Sequence, residues 1–234
     1  EGSTVKLYDL FVQKSDQKSI LQLAENKSLS KFLSRSVKKE IFFKNASFSN
    51  YIIQIVGRTI DEFTLLSALT AFLISFLWMN FLRRFDIYET EKWKYLLAVF
   101  GLGSIATFFV YPLGDVLEYV FHFSYTNTDV LNDFIYCSVV IGAVEELVKI
   151  VPFLLVLRFF KFINEPYDYI LYGSVSALGF AFMENILYFN EYQFHVIFIR
   201  TVYSVVGHMF WTSIIAYGFI KINFNRKTTY SSLF

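Results

Sequence analysis

Three acids, a lysine and a histidine stand inside long apolar runs of this sequence: Glu145, Glu146 and Lys149 within 134–157, Glu184 within 169–189, and His208 within 194–220. A charged side chain at the centre of a bilayer costs about 3 kcal/mol on insertion scales, so these groups must face one another or water. Glu145 and Lys149 are four residues apart and Glu146 and Lys149 three apart, which puts the ammonium within reach of either carboxylate on one helix face. Lys149 can neutralise one acid and leave the other to hold a water or a proton, a division that suits general acid and base work. Glu184 and Asn185 continue a stripe of small residues, Gly173, Ala177 and Ala181, along which another helix can approach closely. Phe180, one turn before Glu184, is expected to pack beneath that carboxylate. His208 and Thr212 are again four apart and point to one locus. Three helices thus each contribute a polar pair. Each pair also has a purely structural counterpart: a buried ion pair, interhelical hydrogen bonding, or a satisfied core histidine. Arg200 is expected to be structural, reaching the outer interface or an acid there.

The elements that carry these residues follow from length and polarity. A helix needs about 20 mostly apolar residues to cross the hydrocarbon core, and five runs qualify: 63–82, 95–113, 134–157, 169–189 and 194–220. With 55% hydrophobic and 21% aromatic residues the chain is too apolar for one soluble core of 234 residues. The expected fold is all-α, a polytopic transmembrane helical bundle with about five spans. A polar extramembrane segment, 1–60, precedes the transmembrane domain, 61–221, whose core for chemistry is 134–220; residues 222–234 form a cytoplasmic tail. Short amphipathic helices are expected at 7–11, 20–23 and 41–55. A net charge of +1 excludes nucleic acid as a partner, and the lone Cys137 can build neither a disulfide framework nor a cysteine-rich metal site. The opening Glu1-Gly2-Ser3 leaves open whether a segment precedes it. Arg83, Arg84, Lys92, Lys94, Arg158, Lys161, Lys221, Arg226 and Lys227 mark cytoplasmic loops, whereas 114–133 and 190–193 carry acids and no lysine or arginine and should face outward.

The ordered set Glu145-Glu146-x-x-Lys149, Phe180-x-x-x-Glu184-Asn185 and a later His208 resembles the PrsW family of intramembrane proteases over 134–220. It is distantly similar to the CAAX prenyl protease and bacteriocin-processing superfamily. That wider pattern has a histidine where Glu184 stands and often Asn or Asp where Thr212 stands. The resemblance implies a multi-pass protein of a bacterial or archaeal cell membrane that cuts a membrane-anchored peptide or protein substrate. Glu145 and Glu184 would position and deprotonate a water, and His208, helped by Asn185 or Thr212, would stabilise the oxyanion, with Glu146 and Lys149 in support. No cofactor is favoured. Zinc is the alternative, since two carboxylates and an imidazole make an acceptable donor set, but there is no His-Glu-x-x-His pair and Lys149 would repel a cation. A proton-coupled carrier or binding protein is the competing reading, because intramembrane acids paired with Lys and His also mark ion pathways. The site is expected to open outward, with Glu184 near its mouth.

Overall fold

A computed structural model describes residues 2–13, 16–86, 89–122, 124–126, 128–160 and 163–231; side chains at 2–5, 7, 193, 194 and 221–231 fall outside that description. The orientation signals at Lys161, and at the side chains of Lys221, Arg226 and Lys227, therefore lie outside the described residues. The described residues are helical, with no strand among them. The chain forms two compact units, Glu1–Glu62 and Phe63–Phe234.

The first unit holds α1 (Gly2–Gln13), α2 (Gln17–Glu25), α3 (Arg35–Lys44) and α4 (Phe48–Asp61). The single helix expected over 41–55 is two, because Asn45 caps α3 and Ala46 takes a positive φ of 54° before α4 begins. Ile41 and Phe42 of α3 and Tyr51 and Ile55 of α4 are buried, and the Arg35 guanidinium pairs with Asp61 between the same two helices.

In the second unit α5 (Leu65–Arg84) starts where Thr64 Oγ1 accepts from Ser67 N. Next come α6 (Trp93–Ala106) and α7 (Val110–Phe121), joined through one 3₁₀ turn into a continuous helix. That helix runs past the expected end at residue 113, so Asp115 and Glu118, expected in an outward loop, lie on α7; Tyr136 donates to Glu118 Oε1 at 2.7 Å. Residues 130–159 are helical throughout: α8 (Val130–Ile135), a π-helical turn Tyr136–Ala143, and α9 (Val144–Phe159). After α10 (Pro166–Glu191) come α11 (Ile197–Ile199), a second π-helical turn Arg200–Ser204, and α12 (Val205–Ser231). Among the described residues three helices are long and apolar enough to cross a membrane: Leu65–Arg84, Trp93–Phe121 and Pro166–Glu191. The expected five spans are three on that measure. The other two runs are helical as well, and each is interrupted by its π-helical turn.

The axis of the unit is α10. Its apolar window is 72% buried, against 28% for each of the other two spanning helices, and it packs against α5, α6, α9 and α12. It begins with Pro166 in the first turn and a capping box in which Asp168 Oδ2 accepts from Glu165 N at 2.8 Å and also from Asn164 N. The small-residue stripe works as expected at Gly173, where a Cβ would come within 2.8 Å of Ala216 Cβ on α12. A second, unforeseen crossing lies on the α6 side. There a Cβ at Gly179 would fall on the Phe100 carbonyl oxygen and one at Gly103 on that of Ser176, so only hydrogen at both positions lets the two backbones meet. Ser104 Oγ bridges them, donating to Gly179 O at 3.1 Å.

Candidate active site

Glu145, Glu146 and Lys149 occupy the first two turns of α9, directly after the π-helical turn. Lys149 Nζ donates to Glu145 Oε2 at 3.1 Å and to Glu146 Oε1 at 2.8 Å, so the ammonium is shared by both acids. Its side chain is 1% exposed and lies over the Phe180 ring, 4.6 Å from the centroid, which adds a cation–π contact in a dry setting. Pro152, one turn on, cannot donate to the carbonyl of Val148. Ser176 Oγ of α10 donates to the next carbonyl, Lys149 O, at 2.5 Å and ties this stretch of α9 to the central helix.

Glu184 projects from α10 and His208 from the first turn of α12. His208 Nε2 lies 3.0 Å from Glu184 Oε2 and 3.3 Å from Ser204 Oγ. The Phe180 ring packs against Lys149 and, with 5.5 Å between centroids, against His208, the partner of Glu184. One carboxylate oxygen from each of Glu145 and Glu184 and one ring nitrogen of His208 lie within 4.8 Å of one another. These three side chains keep 19%, 18% and 14% exposure, whereas Lys149, Asn185 and Thr212 are fully buried.

The remaining expected residues are present but differently engaged. Thr212 Oγ1 donates to Glu146 Oε2 at 2.9 Å, so it serves the paired-acid half of the site and not His208. Asn185 Oδ1 accepts from Arg200 Nε at 2.8 Å, and its buried Nδ2 has no hydrogen-bond partner among the described residues. Glu184 sits seven residues before the end of α10 at Glu191, roughly 10 Å along the axis at 1.5 Å per residue.

Arg200 and Ser204 were missed as members of this cluster. Arg200 does pair with an acid, as expected, but the acid is Glu184 of the site itself: Arg200 Nη2 donates to Glu184 Oε2 at 2.7 Å, and the guanidinium lies over the Tyr188 ring, 4.1 Å from the centroid. Ser204 stands four residues before His208, and that spacing was the one available signal. Of the other histidines, His122 caps α7 and His195 lies in the 3₁₀ turn Gln193–Val196; neither joins the cluster.

Two carboxylates and an imidazole converging from three helices, with a cation behind each acid, can polarise a water and steady a developing oxyanion. The same donors suit a zinc ion with an open coordination position, although Lys149 and Arg200 already engage the two carboxylates. Fold and cluster define a helical membrane bundle with a carboxylate–imidazole centre. Residues 91–234 match the family described as PrsW family intramembrane metalloprotease, and the chain belongs to the PrsW family. It is 30% identical over 164 residues to a protein named Protease PrsW from Clostridioides difficile, covering 68% of this chain and 66% of that protein. A second Protease PrsW, from Oceanobacillus iheyensis, is 35% identical over 89 residues, which is 37% of this chain and 41% of the relative. No solved structure matches the chain.

Proposed function

We propose that this chain is an intramembrane endopeptidase that hydrolyses membrane-anchored protein substrates at the Glu145, Glu184 and His208 cluster. The observation that carries this reading is the convergence of those three donor atoms within 4.8 Å at a point where all three side chains stay partly exposed. Family membership and the relatives' name supply the reaction class. In the metal-free form, Glu145 and Glu184 hold and deprotonate the water that attacks the peptide carbonyl, and His208 stabilises the oxyanion. Lys149 holds Glu145 from behind while sharing its ammonium with Glu146, which Thr212 bonds in turn, and Arg200 holds Glu184 together with Asn185. The ion pairs on both carboxylates favour this form.

The donor convergence and the family's description favour a second form, in which Glu145, Glu184 and His208 hold zinc. Bound there, zinc would supply Lewis-acid polarisation and lower the pKa of a bound water. Cleavage of a membrane-anchored reporter by the purified chain tests the proposal, comparing it with Glu145→Gln, Glu184→Gln and His208→Ala. Loss of cleavage in all three is expected, and full activity in all three would remove the site assignment. Proton flux in proteoliposomes without cleavage, abolished by the same substitutions, would establish a carrier instead. Metal analysis with activity after exhaustive chelation separates the two peptidase forms: stoichiometric zinc lost together with activity establishes the zinc form.

A further inference from the structure

The first unit carries an apolar surface that its own fold does not cover. At 100° per residue, α4 turns Tyr51 and Ile55 into the unit, where both are buried. Phe48, Ile52, Val56 and Ile60, spaced four apart, run along another face together with Ile53, and all five are exposed, Phe48 and Ile60 by 66% and 67%. The helix therefore has two apolar faces, and a soluble domain needs only one. Contiguous exposed apolar surface of this kind marks an interaction site.

The chain around α4 says what covers it. Three residues, 62–64, separate α4 from α5, the first helix long and apolar enough to cross a membrane. The start of α5 repeats the pattern, with Leu65, Leu69, Leu73 and Leu77 exposed at four-residue spacing. The end of α4 is thereby joined by three residues to a helix of a length and composition that suit the bilayer. Residues 1–62 also hold ten lysines and arginines against seven acids, a net charge of +3 that suits phospholipid phosphates. An amphipathic helix with basic surroundings and an apolar stripe is the form that settles at the boundary between headgroups and acyl chains.

We propose that α4 is an interfacial helix whose Phe48, Ile52, Val56 and Ile60 face is seated in the headgroup–acyl boundary of the phospholipid bilayer. The full chain in a Cys137→Ser background, with a nitroxide at Ile52→Cys, Val56→Cys or Ile60→Cys and a solvent control at the exposed Ser28→Cys, tests this in phospholipid nanodiscs. All four labelled positions are exposed, and an unchanged thermal midpoint verifies that each labelled chain folds. Collision with oxygen, which partitions into acyl chains, should exceed collision with a water-soluble nickel chelate at the three helix positions and fall below it at Ser28. Nickel-dominated collision at the helix positions would show a face turned to water and overturn the proposal. Weak collision with both relaxers would show the face packed on protein, such as a second copy, and overturn it equally.

Discussion

Arg200 and His208 meet on one atom: Arg200 Nη2 lies 2.7 Å and His208 Nε2 3.0 Å from Glu184 Oε2. Because Arg200 also holds Asn185 through Nε, its planar fork fixes two consecutive side chains of α10 at once, which a lysine cannot do. We predict that Arg200→Ala lowers kcat for reporter cleavage about 10–100-fold, the usual effect of removing a group that orients a site residue, with KM nearly unchanged. Arg200→Lys should recover part of that loss. Steady-state kinetics on both variants, normalised to folded protein, checks this; equal KM and kcat effects would place Arg200 in substrate binding.

Lys149 is the countercharge of Glu145 and Glu146 in a dry interior. Removing one member of a buried ion cluster leaves uncompensated charge, so Lys149→Met should cost on the order of 3 kcal/mol and abolish activity. Lys149→Met combined with Glu146→Gln should regain part of the stability, since one of the stranded acids is neutralised. Thermal unfolding in detergent measures both.

Thr212 separates two roles that helix periodicity could not. An oxyanion donor is worth about 10²–10³ in kcat, whereas a hydroxyl that only bonds Glu146 is worth about 1 kcal/mol of stability. From its 2.9 Å bond to Glu146 we expect Thr212→Val to cost about 1 kcal/mol of stability and to lower kcat by far less than the loss of an oxyanion donor would. A larger kcat loss at unchanged stability would return Thr212 to the oxyanion.

Glu91, in the loop before α6, accepts from Tyr172 Oη at 2.7 Å. Burial pushes its carboxyl up, Asp168 and Asp86 add to the rise, and the hydrogen bonds from Tyr172 and Lys92 N oppose it. A folded-state pKa above the unfolded value means that the folded protein binds this proton more tightly. Stability from this group is therefore present at acid pH and falls as pH rises from the ordinary glutamate range through the raised value. Glu91→Gln keeps an acceptor for Tyr172, so it should flatten this dependence and raise the thermal midpoint at neutral pH. Midpoints measured across that range check the sign.

What could be read from the sequence was what one helix says about itself. The Glu145, Glu146 and Lys149 contacts and the small stripe through Gly173 follow from a period of 3.6, and the structure has both. Contacts between helices carry no such signal. Thr212 and His208 share a face, yet their partners come from different helices, Glu146 on α9 and Glu184 on α10. That Arg200 would find an acid was legible, but not that the acid is Glu184, since 16 residues and the 3₁₀ turn Gln193–Val196 separate them along the chain. Helix ends were misplaced where polarity misled: Asp115 and Glu118 read as loop acids, but the helix continues through them.

The π-helical turns at Tyr136–Ala143 and Arg200–Ser204 each stand just upstream of a site residue, Glu145 and His208. A turn of this kind is wound with more residues than an α-helical turn, so it acts as slack in the chain. Losing one residue there lets the turn tighten while the segments on either side keep their facing. The same deletion between Glu145 and Lys149 would swing one of them by roughly 100° relative to the other and dismantle the cluster. Chain length is thus a local variable in this protein, slack within 136–143 but pinned at both ends of 200–204, where Arg200 and Ser204 themselves reach the site. A one-residue deletion within 138–142 is therefore expected to leave reporter cleavage largely intact, whereas one between Glu145 and Lys149 should abolish it.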